Sequence, residues 1–254
     1  MLRFIVGPCV IESNEILDEV ANMVSVLDQK YPEYDFYFKS SFDKANRTAL
    51  NSYRGPGLEK GLEMLNGIKD KYNLKLLTDV HETSQVNSIA SVVDCIQIPA
   101  FLCRQTDLIV ESAKSGVSVN IKKGQFMSGA DMIYSYNKAI ESGCKDVWLT
   151  ERGNSFGYNN LVVDFRNLAD MKKITQDVVM DCTHSVQRPS QGGITSGNRE
   201  FVPSMALSAL MWGVRSFFIE THPDPDSAKS DAANMLRLSD LEQLIEELHA
   251  HSKI

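Results

Sequence analysis

The sequence predicts a closed (β/α)8 TIM barrel in a single domain, on two observations. Short β-rich apolar runs alternate eight times with amphipathic stretches, which implies a parallel sheet, and eight such units in 254 residues fit a barrel. Nearly every apolar run is followed at once by a functional side chain: Cys9, Lys39, Asp79, Gln97, Lys122, Arg152, His184 and Glu220. In a barrel those strand ends share one face, where sites are built. An open doubly wound sheet is the alternative, but no GxGxxG turn follows the first run. No linker, repeat or low-complexity segment interrupts residues 1–254.

Each unit has its own signals. The first run, Phe4 to Val6, stops at Gly7-Pro8-Cys9; Ser13 is placed to cap a helix carrying Ile16, Leu17, Val20, Met23, Val24 and Leu27 at helical spacing. The second run is Tyr34 to Phe38, followed by a helix with Leu58, Leu62, Leu65 and Ile68 on one face. Runs at Leu74–Leu77 and Cys95–Ile98 precede helices expected over Thr83–Ser91 and Thr106–Lys114. Val117–Ile121 and Val147–Leu149 precede helices over Ala130–Ser142 and, more weakly, Leu168–Ile174. Val178–Met180 and Ser216–Ile219 precede the helices Pro203–Gly213 and Ser239–His249.

The bulk chemistry narrows the class. A net charge of −7 argues against nucleic-acid binding, which wants a basic surplus. No apolar run nears the roughly 18 residues of a membrane span, and the apolar start is too short for a signal peptide. The five cysteines are odd in number, scattered and without CxxC spacing, so a reducing cytoplasm is the expected compartment.

Cations dominate the strand ends. Lys39, Lys44, Arg47, Arg104, Lys122, Lys123 and Arg152 would crowd one face, an arrangement that repels itself unless an anion is bound. Guanidinium and ammonium groups together suit a ligand with at least two anionic centres. Strand alternation turns Lys122 and Lys123 to opposite sides, so Lys123 is expected as a solvated surface cation.

Cys9, His184, Glu220 and Asp231 fall at or just beyond the ends of the first, seventh and eighth strands, which a closed barrel makes neighbours. Mixed sulfur, nitrogen and oxygen donors suit Fe²⁺, Zn²⁺ or Mn²⁺. From the residues alone Cys9 reads rather as a buried thiol. His222 is a rival ligand that its His-Pro turn would push outward, and His249 and His251 read as solvated. The Gly-rich stretch Gln187 to Glu200 is long enough to be a lid.

Several segments together resemble the 3-deoxy-D-manno-octulosonate 8-phosphate synthase family, in its metal-dependent class. They are KSSFDKANR (from Lys39), IQIPAFLCRQTD (from Ile96), KKGQF (from Lys122), LTERG and FGYNNLVVDFR (from Leu149 and Phe156), THSVQ (from Thr183) and ETHPDPDSAKSD (from Glu220). The resemblance implies a transferase, a homotetramer, that condenses phosphoenolpyruvate with D-arabinose 5-phosphate for the inner core of lipopolysaccharide. It implies that Lys44, Lys122 and Arg152 cradle phosphoenolpyruvate, supported by Ser41, Gln97, Arg104 and the Ala100 backbone, with Lys39 lining the cavity. Asn46, Arg47 and Thr48 would meet the sugar phosphate, Arg47 across a subunit interface, and Asp79 and Asp231 would lie near the reacting centres. One class of the family has asparagine where this chain has Cys9 and needs no metal. The resemblance therefore assigns one divalent ion to Cys9, His184, Glu220 and Asp231. Two rivals stand beside this: the related synthase that uses erythrose 4-phosphate, which has Lys-Pro-Arg where this chain has Lys44-Ala45-Asn46-Arg47, and a non-catalytic sugar-phosphate binder.

Overall fold

A computed structural model describes residues 1–47, 49–188 and 196–253. Eight parallel strands follow one another around a closed barrel: β1 (Arg3–Gly7), β2 (Asp35–Lys39), β3 (Lys75–Asp79), β4 (Cys95–Ile98), β5 (Ser118–Lys122), β6 (Val147–Glu151), β7 (Val178–Asp181) and β8 (Ser216–His222). β8 returns to pair with β1 from Arg3↔Ser216 to Gly7↔Glu220, which closes the ring. Closure is tightest at Gly7, where a Cβ would overlap the carbonyl oxygen of Lys39 on β2. Only glycine lets the two backbones approach so closely.

The helices that cover the barrel are α1 (Asn14–Lys30), α2 (Leu58–Tyr72), α3 (Val86–Ala90), α4 (Thr106–Lys114), α5 (Met132–Glu141), α6 (Arg166–Lys172), α7 (Val202–Met211) and α8 (Leu238–His251). α1 begins where expected, the Ser13 hydroxyl accepting the Ile16 N–H at 3.3 Å. It buries Leu17, Val20, Ala21, Val24 and Leu27 along one stripe. Outward strand residues such as Phe4, Val6, Leu76 and Ile219 meet these helices in the larger of two hydrophobic cores.

The second core fills the barrel itself. Ile5, Tyr37, Leu77, Cys95, Trp148, Val179 and Phe218 form one apolar layer across it. Below that layer Arg3 stacks its guanidinium 4.0 Å from the Trp148 ring and bonds Asp35 and Asp177, each at 3.1 Å. Above it, one step of strand alternation further on, the buried interior positions turn polar: Lys39, Asp79, Gln97, Asn120, Lys122, Thr150, Asp181 and Glu220. An apolar floor thus carries a layer of charge at the C-terminal mouth.

Three expectations change, and the loops add two elements. The stretch Thr83–Ser91 is a 3₁₀ turn, Thr83–Gln85, running into the short α3, because a reciprocal Glu82–Gln85 capping box tightens its start. The loops hold two small hairpins, Asn154–Ser155 with Leu161–Val162 and Gln187–Arg188 with Ser196–Gly197, which two-residue strands give no periodicity to reveal. His249 is half-buried, its Nδ1 2.6 Å from the Tyr34 hydroxyl, because α8 packs that turn against Tyr31 and Tyr34; His251 is exposed. Lys123 does point away from Lys122, yet it is fully buried and 3.4 Å from Glu151. Its strand face is roofed by the loops after β5 and β6, so it meets carbonyls instead of water.

Gly7→Ala is expected to destabilise the chain by about 3 kcal/mol or more, the upper end of overpacking penalties, read as a lowered urea midpoint. A wild-type midpoint would mean that β1 and β2 do not meet so tightly.

Candidate active site

The mouth is assembled by extending the first strand pair beyond its regular ladder. The Ser41 N–H donates to Cys9 O at 3.3 Å and the Ile11 N–H to Ser41 O at 2.9 Å. This brings the Cys9 thiol against residues of the loop after β2. Lys39 Nζ donates to Cys9 O at 2.9 Å and to Glu220 Oε1 at 2.8 Å. Lys44 Nζ lies 3.0 Å from both Cys9 Sγ and Asp231 Oδ2. Asp231 Oδ2 is itself 3.0 Å from Cys9 Sγ, and Asp231 holds a left-handed backbone at φ +48°. That conformation is costly for most residues and least so for Asn and Asp.

Three of the four donors expected for a metal converge here, Cys9, Glu220 and Asp231. Ligand atoms of Cys9, Glu220 and Asp231 all lie within 4.8 Å of one another. His184 Nε2 stands 3.8 Å from Glu220 Oε2 and 3.7 Å from Asp231 Oδ2. Glu220 Oε2 is buried and has no hydrogen-bond partner. A cation already occupies part of this place, the Lys44 ammonium. Sulfur and two carboxylates, with an imidazole close by, make a donor set whose chemistry could hold a divalent ion.

His184 is oriented from behind. Its Nδ1 lies 2.9 Å from Asp181 Oδ2, and its own N–H and that of Thr183 both donate to Asp181 Oδ1. Asp181 Oδ2 also takes the Lys122 ammonium at 2.6 Å. Lys122 Nζ rests 3.7 Å above the Phe218 ring, so the apolar floor supports the cation directly. Arg152 is buried; its Nη2 donates to Gln187 Oε1 at 3.1 Å, and Gln187 Nε2 donates in turn to Asp231 Oδ1 at 3.0 Å.

Other predicted residues sit around this cluster. Asp79 is buried next to Ser41 and faces His81, whose Nε2 is 2.8 Å from Asp79 Oδ2. Gln97 is buried and accepts from Asn120 Nδ2 at 3.3 Å, while Ala100 is buried in the turn after β4. Arg104 is exposed, as is Asn46. Arg47 lies on the same outer turn, its Nη1 donating to Ala45 O at 3.3 Å. These three side chains make no hydrogen bond to the buried cluster among the described residues. Thr48 lies outside the described residues, as does the middle of the expected lid, 189–195. His222 is buried, its Nδ1 accepting the Asp224 N–H at 3.1 Å, because β8 runs on past Glu220 and carries it inside.

Charge balance is uneven across the mouth. Burial alone would raise the Asp181 carboxyl, but His184 and Lys122 hold it well below the usual carboxylate range. Burial likewise opposes ionisation of Glu220, and Lys39, His184 and Lys44 overcome it. The Cys9 thiol is pushed far up by burial and by Asp231 and Glu220. Lys122 and Arg152 differ from Lys39 and Lys44: burial pulls both below their ordinary values, and the neighbouring carboxylates do not fully restore them, as is also true of Lys123 on the outer face of β5. Arg152 Nη1 is buried without a hydrogen-bond partner.

Sequence reading passed over Asp181, Gln187 and His81. A signal for Asp181 was present, since it ends β7 three residues before His184, the spacing at which a carboxylate orients a ligating imidazole. Gln187 had no local signal, because its partners Arg152 and Asp231 come from distant segments; His81 lies only two residues beyond its partner Asp79, in the turn that follows β3.

A sequence profile described as the DAHP synthetase I family matches residues 1–254. Among similar curated proteins, one from Wolinella succinogenes is 54% identical over 98% of this chain and 99% of its own length. One from Helicobacter hepaticus is 54% identical over 96% of this chain and 94% of its own. One from Fusobacterium nucleatum is 52% identical over 95% and 87%. Each is named 2-dehydro-3-deoxyphosphooctonate aldolase. The chain belongs to the DAHP synthetase I family.

Asp181→Asn is expected to cost about 3–5 kcal/mol at pH 7, because it leaves buried Lys122 unpaired. A carboxyl whose folded pKa is depressed contributes stability above its unfolded value of about 4 and loses it as pH falls further. Urea unfolding should therefore show a shallower acid limb in the variant below about pH 4. Identical limbs would mean that Asp181 is not held ionised by its neighbours.

Proposed function

We infer that the chain condenses phosphoenolpyruvate with D-arabinose 5-phosphate and water, giving 3-deoxy-D-manno-octulosonate 8-phosphate and inorganic phosphate. It is a transferase of lipopolysaccharide inner-core biosynthesis, one catalytic barrel over residues 1–254. The observation that carries the reading is the buried Arg152 Nη1 without a hydrogen-bond partner, at a barrel mouth shared with buried Lys122 and the group Cys9, Glu220 and Asp231. No helix among the described residues is long and apolar enough to cross a membrane, which accords with the cytoplasm as its compartment.

In this reading Lys122 and Arg152 hold the phosphate and carboxylate of phosphoenolpyruvate. Ser41, Gln97, Arg104 and the Ala100 backbone complete the cradle, and Lys39 lines it. Lys44, which bonds Cys9 and Asp231, would be released to face the same substrate if those residues held a divalent ion. Asn46, Arg47 and Thr48 meet the sugar phosphate. The place of Arg47 on the outer turn, with its Nε lacking a hydrogen-bond partner, suits a reach across a subunit boundary, so the complete site belongs to a homotetramer.

The vinyl carbon of phosphoenolpyruvate forms a bond to the aldehyde carbon, water adds its oxygen to the adjacent carbon, and phosphate departs by C–O cleavage. Holding the two substrates in attack geometry lowers the barrier by up to roughly 7–11 kcal/mol in well-oriented cases. The chain's cations screen the repulsion between two phosphorylated partners and stabilise charge as it develops. Asp79, His184 and Asp231 stand at the reacting centres, where they orient hydroxyls and water. Cys9, His184, Glu220 and Asp231 would hold the metal, which supplies Lewis acidity for the sugar or for the attacking water.

Chelator treatment is expected to abolish phosphate release, with Mn²⁺, Fe²⁺ or Zn²⁺ restoring it; full turnover after metal stripping contradicts the metal assignment. Cys9→Asn should lower metal affinity by about tenfold or more, measured by equilibrium dialysis. A paired assay should show phosphate release much faster with arabinose 5-phosphate than with erythrose 4-phosphate. The opposite order would move the chain to the other sugar, and release with neither would leave a binding protein.

A further inference from the structure

Behind the pocket lies a second charged pair that the reaction does not touch. β5 leaves the barrel as Lys122-Lys123 and β6 as Glu151-Arg152, and alternation sends Lys122 and Arg152 inward and Lys123 and Glu151 outward. The ladder continues through the Lys123 N–H, which donates to Thr150 O at 2.8 Å, so the inner and outer pairs stand back to back.

The outer pair is wired into both loops. Lys123 Nζ lies 3.4 Å from Glu151 Oε1 and donates to Asn154 Oδ1 at 2.8 Å. It also reaches the carbonyls of Met127, Gly124 and Gly153 at 3.2, 3.3 and 3.4 Å. Glu151 Oε1 accepts the N–H groups of Arg152 at 2.9 Å and Gly153 at 2.6 Å, fixing the peptide from which the Arg152 side chain springs. Asn154 extends the tie, donating to Met127 O at 2.6 Å. Both charged side chains have no solvent exposure.

Burying an ion pair is seldom the most stabilising choice, because an apolar pair of equal volume usually does as well. What this pair provides that an apolar pair could not is a directional link from the β5 loop to the backbone of Arg152. The geometry points to Lys123 and Glu151 as positioning residues, which set the separation of Lys122 and Arg152 to suit one doubly anionic substrate. The inference rests on the reading of Lys122 and Arg152 as the cations that bind phosphoenolpyruvate.

The test compares wild type with K123M/E151Q, a variant that removes both charges together and keeps an acceptor for the Arg152 and Gly153 N–H groups. Phosphoenolpyruvate binding is titrated calorimetrically, and KM is measured for each substrate. The expected result is a rise of about tenfold in Kd and KM for phosphoenolpyruvate, a KM for arabinose 5-phosphate within about twofold, and a urea midpoint near that of wild type. An unchanged Kd for phosphoenolpyruvate, or an equal rise in both KM values, overturns the positioning role. Wild type that binds phosphoenolpyruvate but releases no phosphate would refute the proposed reaction while the Kd comparison still judges the pair. Should K123M/E151Q not fold, N154A trims one acceptor of the tie. It should raise the Kd by about two- to threefold, and an unchanged Kd overturns the inference equally.

Discussion

The structure depends on one constraint: charges enclosed in a narrow barrel mouth must neutralise one another. Lys39, Lys44, Lys122 and Arg152 face Asp79, Asp181, Glu220 and Asp231 across a layer that excludes most water. Isolated ions there would each cost several kcal/mol, a cost that the contacts of 2.6–3.0 Å among them offset. The strand period supplies the arrangement. One residue position per strand gives the apolar plug around Trp148 and Phe218, and the position two residues on gives the charged layer.

Neutralisation is incomplete in a patterned way. Glu220 Oε2, Asp79 Oδ1 and Arg152 Nη1 are buried without partners. The unsatisfied carboxylate oxygen of Glu220 adjoins Cys9, His184 and Asp231, where a divalent ion fits. The unsatisfied guanidinium nitrogen lies on the Gln187 side, where an anion fits. The two vacancies of charge have opposite sign, and Gln187 links them by bonding both Arg152 and Asp231.

Most of this was legible in the sequence because strand ends carry their signal locally. All eight strands and the alternation that turns Lys122 inward follow from apolar runs and the residue after each. Misreadings arose where a side chain's environment is set by a segment distant in the chain. Lys123 looked solvated because nothing in KKGQF shows that the β6 loop roofs it. His222 looked turned outward because the extra length of β8 is stabilised by pairing with Leu236–Arg237, which no periodicity announces. Asp181 was readable from its spacing to His184, yet its bond to Lys122 spans two strands. Short loop hairpins and the 3₁₀ start before α3 are settled by side-chain caps and turn contacts, which act below the length at which hydrophobic patterns speak.

The central claim is that the charged layer is completed by a metal on one side and an anion on the other. A crystal structure of the chain grown with Mn²⁺ and phosphoenolpyruvate, with anomalous scattering recorded at the manganese edge, tests it most directly. The account predicts an anomalous peak bounded by Cys9, His184, Glu220 and Asp231, with Lys44 displaced from Cys9 and the ligand's phosphate between Lys122 and Arg152. A peak elsewhere, with Lys44 still bridging Cys9 and Asp231, would contradict it.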